Sequence, residues 1–187
     1  DWSSDVCSSD LGGEVRLNSG KAFNAQAAAA PTSSGGFVAA WPRYDRALGA
    51  NGWDIVSRSF DANGSPLGVL NTVNTFTANN QHSPSIAATK DGFITIWTSE
   101  NQDGSKEGIF GRALDANGKP SGDEFAVNTM TDGSQIHGVV VSDGSKEGLA
   151  AWSSYGSIQS GMDLVAQRLA AVAPALPTPD RKSTRLN

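Results

Sequence analysis

The sequence predicts an all-β fold of repeated four-stranded antiparallel blades, an incomplete β-propeller of about three blades. Three observations carry this. Ile55 to Gln81 aligns with Ile109 to Gln135 at an offset of 54, with identities that include Arg58/Arg112, Asp61/Asp115, Gly64/Gly118, Gly68/Gly122, Asn74/Asn128 and Gln81/Gln135. Trp41, Trp97 and Trp152 close the related segments GGFVAAW, DGFITIW and EGLAAW at spacings of 56 and 55, with Asn18, Asn74 and Asn128 preceding them by 23, 23 and 24 residues. No segment keeps a helical period, because Gly, Asn and Thr interrupt every candidate.

The middle copy shows the elements of one repeat in order. Pro84 to Thr89 reads as the first strand and Gly92 to Thr98 as the second, joined by a Lys90-Asp91 turn. A polar loop, Ser99 to Glu107, leads to a third strand near Gly108 to Leu114. That strand ends in Asp115-Ala-Asn-Gly118, where Asn and Gly tolerate positive φ. Glu124 to Asn128 is the fourth strand. Leu164 to Ala173 is the best helical candidate, yet it aligns with the third strand of the other copies and is assigned as strand. The recurrent Trp is expected to fill the gap between stacked sheets, with a sugar-stacking role as the alternative. Three repeats are too few to close a ring comfortably, so further copies and uncovered blade faces are expected.

Both ends read differently. One choice of codons for Asp1 to Leu11, DWSSDVCSSDL, spells on its complementary strand DRKSTRLN, the stretch from Asp180 to Asn187. The two resemble a sequencing-library adapter in its two orientations, so residues 1–11 and 180–187 are set aside from fold reasoning. Residues 12–170 hold the repeats, and residues 171–179 read as an Ala/Pro-rich linker. The repeat segment is thus expected to be a piece of a longer protein. The single cysteine, Cys7, falls in the adapter-like end, which leaves no disulfide or thiolate metal site within the repeats.

Charge narrows the classes of partner. The chain has 14 basic and 19 acidic residues, and without three basic and four acidic residues at its ends the net charge is −4. Scattered Lys and Arg argue against a nucleic-acid surface, and no apolar run reaches the roughly 20 residues of a membrane helix.

Candidate chemistry is sparse. Asp103-Gly-Ser-Lys-Glu107 alternates oxygen donors as a calcium loop does, but DGSKEG recurs at Asp143 to Gly148 in another part of the repeat, which favours a generic turn. Asp61 and Asp115 are expected to cap turn N–H groups. Arg58, Arg112 and Arg168 are expected to pair with carboxylates across strands, the alternative being a ring of arginines facing a propeller channel. Gln81 and Gln135 are expected to bond to backbone at a blade edge. His82 and His137 lie one position apart in the repeat and read as surface polar residues. The carboxylates sit mostly at repeated turns, whereas a catalytic acid is expected to break a repeat. No catalytic, cofactor-binding or metal-ligating residue is assigned, and no cofactor is expected.

DANGSPLG, VNTFTANNQHSPSIAATKDGFITIW and ENQDGSKEGIFGRALDANGKPSGDEFAVNT resemble repeats of very large secreted bacterial proteins, found beside RTX-type calcium-binding repeats in adhesins and exported hydrolases. The resemblance covers nearly all of Gly13 to Ala170 and departs from the pattern at Pro42 to Trp53 and Ser153 to Met162. It implies a propeller-like fold and an extracellular or cell-surface location. The expectation is a non-catalytic extracellular module, a spacer or a ligand-presenting propeller for a glycan or a cell-surface protein. The alternative is a propeller piece of a secreted glycan hydrolase whose active site lies outside this segment.

Overall fold

A computed structural model describes residues 13–46, 51–156 and 161–170. The adapter-like ends with Cys7 and the linker 171–179 lie outside the described residues. The described residues form twelve strands in three antiparallel sheets. The first sheet holds β1 (Phe23–Asn24), β2 (Ala28–Pro31), β3 (Phe37–Tyr44), β4 (Asp54–Phe60) and β5 (Pro66–Thr72), with β1 and β2 sharing one edge of β3. The second holds β6 (Gln81–Thr89), β7 (Gly92–Glu100), β8 (Glu107–Asp115) and β9 (Phe125–Ala126). The third holds β10 (Ser134–Val141), β11 (Gly148–Tyr155) and β12 (Met162–Leu169). Apart from β1 and β2, strands neighbouring in sequence within a sheet pair in space, so each sheet is a meander that tracks one copy of the repeat.

The sheets pack in sequence order. Ala30, Val38, Ala40 and Ile55 of the first sheet meet Ile86, Phe93, Trp97 and Leu114 of the second. The opposite face of the second sheet, Ile94, Ile96 and Ile109, meets Val140, Ala150, Trp152 and Leu169 of the third. The second sheet is therefore covered on both faces, and β7 is buried at seven consecutive positions from Phe93 to Ser99. A β-branched and aromatic sequence suits such a strand. Trp97 and Trp152 are 0% and 5% exposed between sheets, as expected, whereas Trp41, 4% exposed, lies on the far face of the first sheet against Leu17.

The turns follow from local chemistry. Asp115 Oδ1 accepts the N–H groups of Asn117 and Lys119, both at 2.9 Å, and Asp61 Oδ1 does the same for Asn63 and Ser65 at 2.9 and 2.8 Å. Gly118 has φ of 76° and faces the first sheet, where a Cβ would lie 2.8 Å from Val38. The turn thus needs Gly for its backbone and for close sheet packing. Asp115→Ala removes the acceptor of two N–H groups and is expected to cost ~1–2 kcal/mol. A urea midpoint unchanged by this substitution would show the cap to be idle.

Three expectations change. The fourth strand shrinks to Phe125–Ala126, because only Phe110↔Ala126 and Gly111↔Phe125 pair across it. The third sheet has three strands among the described residues. Arg58 and Arg112 bond to carbonyls in place of the expected carboxylates. Arg58 donates to the Gly68 carbonyl at 2.9 and 3.1 Å, and Arg112 to the carbonyls of Gly122 at 2.7 Å and Val73 at 2.8 Å. The repeated Arg and the repeated Gly are thus one device, a guanidinium that clamps the returning segment. Arg168 does approach a carboxylate, Glu147 at 3.8 Å, with both side chains exposed.

Candidate functional site

Hydrogen-bond register gives the repeat a finer alignment than sequence does. Ala28, Ser85 and Val139 each pair with the residue just before the repeated Trp, namely Ala40, Ile96 and Ala151. Two residues earlier stand Gln26, Ser83 and His137, all with positive φ, at 43°, 52° and 56°. Each first strand therefore carries an irregularity at the same place. A bulge re-aims side chains, and three non-glycine residues held at positive φ point to a constraint beyond strand pairing.

This register also shows where the copies differ. Residues flanking the bulge and the following loop are Ala25, Pro42, Tyr44 and Trp53 in the first sheet. In the third they are Ile136, Ser153, Tyr155 and Met162. The second sheet places His82, Thr98, Glu100 and Glu107 there. Aliphatic and aromatic side chains and one serine give way to one histidine, one threonine and two glutamates in the middle copy alone. Asp61, Asp115, Asp103 and Asp143 sit at repeated turns. Glu100 and Glu107 break the repeat instead, standing directly opposite each other on β7 and β8. Like charges in that relation are destabilising, so packing alone does not account for them.

Hydrogen bonds and ring contacts connect their neighbours to the first sheet. Asn80 donates from Nδ2 to Glu100 Oε2 at 2.9 Å, while its Oδ1 accepts the Trp53 N–H at 3.3 Å. The Trp53 ring lies 6.0 Å from that of Tyr44, which stacks on the exposed Phe23 at 6.3 Å. On the other side, His82 Nδ1 is 3.1 Å from Ser83 Oγ, and that hydroxyl donates to Gln26 Oε1 at 3.4 Å. Thr98 Oγ1 and Glu107 Oε2 are buried without a hydrogen-bond partner among the described residues. Such atoms seek a partner, because an unmet buried polar group is costly.

His82 is half-buried rather than a surface residue. Burial holds its pKa below the ordinary 6.5, opposed by the fields of Glu100 and Glu107 and reinforced by His137. A depressed folded pKa means that this group contributes stability above pH ~6.5, which is lost as pH falls below it. The urea midpoint is expected to drop between pH 7.5 and 5.5, and His82→Gln to flatten that drop. Equal slopes for the two proteins would refute the assignment.

The remaining candidate residues make local hydrogen bonds. Asp103 Oδ1 accepts the Ser105 N–H at 3.1 Å, and Asp143 Oδ1 that of Ser145 at 2.8 Å, so both DGSKEG copies make the same turn. Gln81 and Gln135 are fully buried and donate to the carbonyls of Ala78 and Asp132, each at 3.0 Å, in line with the expected backbone bonding. Among the described residues, no three His, Cys, Asp or Glu side chains converge to hold a metal ion.

No family model and no curated protein matches the sequence. Solved structures similar to it include the endo-arabinase from Bacteroides thetaiotaomicron VPI-5482, at 11% identity and a TM-score of 0.48, over 78% of this protein and 56% of that one. The α-L-arabinofuranosidase from Lactobacillus brevis is similar at 11% identity and a TM-score of 0.47, over 83% of this protein and 57% of that one. The sequence spans little more than half the length of either protein, and likenesses of this size assign no activity.

Proposed function

We propose that this protein is a run of β-propeller blades from a secreted or cell-surface bacterial protein, a non-catalytic module that presents a carbohydrate-binding surface on its second blade. One observation carries the reading: in the second copy alone, the positions around the bulge and loop hold a histidine and two glutamates, where the other copies hold mainly aliphatic and aromatic side chains. Phe23, Tyr44 and Trp53 offer apolar ring faces, Asn80 links the Trp53 backbone to Glu100, and His82, Glu100 and Glu107 supply donors and acceptors at the same end of the second sheet. A sugar ring presents a C–H face to the first set and hydroxyls to the second. None of these residues is Lys or Arg, and the net charge is −5, which disfavours an anionic ligand.

A panel of soluble neutral polysaccharides in affinity electrophoresis tests the reading. Retardation by at least one of them is expected, weakened about tenfold by Trp53→Ala or Glu107→Gln. Binding that ignores both substitutions, or no retardation across the panel, would sink it. Glu100 and Glu107 favour a second reading, a propeller piece of a secreted glycan hydrolase, because acids that break a repeat mark catalytic sites better than turns do. Release of reducing ends during the same incubations, lost in Glu107→Gln, would select that reading.

A further inference from the structure

The paired glutamates of the second sheet have no counter-charge. Among the described residues the ion pairs are Arg43–Asp45, Lys146–Asp91 and Arg168–Glu147, and none of them reaches Glu100 or Glu107. Lys106 precedes Glu107 in the sequence, yet it is exposed and forms an ion pair with neither glutamate. Burial lowers the pKa of His82, so at about pH 7 its ring is neutral and supplies no positive charge. In the first sheet the same two positions hold Tyr44 and Trp53, whose rings lie 6.0 Å apart, and in the third they hold Tyr155 and Met162. Where the other copies have an apolar pair, the second has two uncompensated carboxylates.

Hydrogen-bonding capacity is unmet at the same place. Glu100 Oε2 accepts from Asn80 Nδ2 at 2.9 Å, whereas Glu107 Oε2 is buried without a partner among the described residues. Thr98 is fully buried and its Oγ1 also lacks a partner. Strand alternation puts that hydroxyl on the same face of β7 as Glu100, in the row of His82.

A ligand that meets these needs brings N–H donors and positive charge. A bare divalent cation is a poor match, because among the described residues no three His, Cys, Asp or Glu side chains converge to hold one. An ammonium group fits better. Directly opposed residues of an antiparallel pair hold their Cβ atoms ~5 Å apart, which lets one ammonium donate to both carboxylates. Asn80 ties this point to the aromatic corner, since its Oδ1 accepts the Trp53 N–H at 3.3 Å. Aromatic ring faces also attract a cation.

We infer that the second sheet takes an amino sugar, with the protonated amine held between Glu100 and Glu107. The inference rests on the carbohydrate reading above and names its substrate class, a glycan of unacetylated amino sugars. Neutral glycans keep the ring and hydroxyl contacts and bind more weakly.

Isothermal titration of the full chain with the tetrasaccharides of glucosamine and of N-acetylglucosamine, at about pH 7 where the His82 ring is neutral, tests this. The glucosamine form is expected to bind at least ~10-fold tighter, as a charge-assisted hydrogen bond allows. Glu100→Gln keeps the side-chain shape and an acceptor for Asn80, and is expected to shrink that ratio below about threefold. Asp143→Asn removes the same charge from an exposed turn outside the site, and is expected to leave the ratio within about twofold of its original value. Equal binding of the two tetrasaccharides, or a ratio that both substitutions lower alike, would overturn the inference and leave the carbohydrate reading standing. Failure of both tetrasaccharides beside retardation by a neutral polysaccharide would do the same. Failure of both, with no retardation by any neutral polysaccharide, would end the two readings together.

Discussion

Trp97→Ala is expected to lower the unfolding free energy by ~3–5 kcal/mol, the range for emptying a large aromatic from a packed core. The side chain is fully buried. It belongs to one cluster with Ala30, Val38 and Ile55 from the first sheet and Phe93, Phe110 and Leu114 from its own. Its loss opens a cavity that neither sheet can fill without sliding on the other. A domain of this size is stable by about 5–15 kcal/mol, so the variant would be partly unfolded at moderate temperature. Trp97→Phe separates shape from polarity: the indole N–H has no hydrogen-bond partner among the described residues, so only packing is lost. A cost well below that of alanine is expected for phenylalanine. Urea denaturation followed by far-UV circular dichroism measures both. A cost under about 1 kcal/mol for Trp97→Ala would mean that the side chain does not wedge the sheets apart.

Asn128→Ala is expected to cost ~2–3 kcal/mol. The Asn128 carboxamide oxygen accepts the buried Ile109 N–H at 2.7 Å, and its nitrogen donates to Met130 O at 2.9 Å and Gln135 Oε1 at 3.2 Å. Alanine would strand a buried N–H and leave the buried Gln135 amide short of a donor. Asn74 makes the equivalent bond to Ile55 N, also at 2.7 Å. Asn18 occupies the same place in the repeat but meets Arg16 instead, at 3.4 Å on the exposed surface. Asn18→Ala is therefore expected to change stability by less than ~0.5 kcal/mol. Equal effects at positions 18 and 128 would show that the repeated Asn stabilises its own turn rather than the third strand.

Much of the architecture is legible in the sequence because its causes are local. The Asp115-to-Gly118 turn needs an acceptor for two N–H groups and a residue free to take positive φ, and Asp and Gly advertise both. The third strand of the last copy is recoverable against its own helical composition, because alignment with Ile109 to Leu114 outweighs propensity. Other roles are not legible. Arg112 reads as a partner for a carboxylate, since nothing in its neighbours reveals that the Gly122 and Val73 carbonyls approach it first. His82 reads as a surface group because its burial depends on packing that the local sequence does not record.

The candidate site shows the same division. Glu100 and Glu107 flank the same polar loop, and in one dimension they resemble the turn carboxylates around them. A comparison of Tyr44, Glu100 and Tyr155 at the third position after each Trp can find the first of them, because that offset is constant in all three copies. Their nearness to His82 depends on the irregular pairing between His82 and Ser85, which cannot be read from composition.

By itself the sequence determined the period, the strand order within each copy and the turns, because hydrogen-bonding side chains and glycines act over a few residues. Only the tertiary structure decided which faces are covered, which bulges align and which acids meet. Those outcomes depend on register between strands and on packing between sheets, where residues far apart in the sequence compete for the same space.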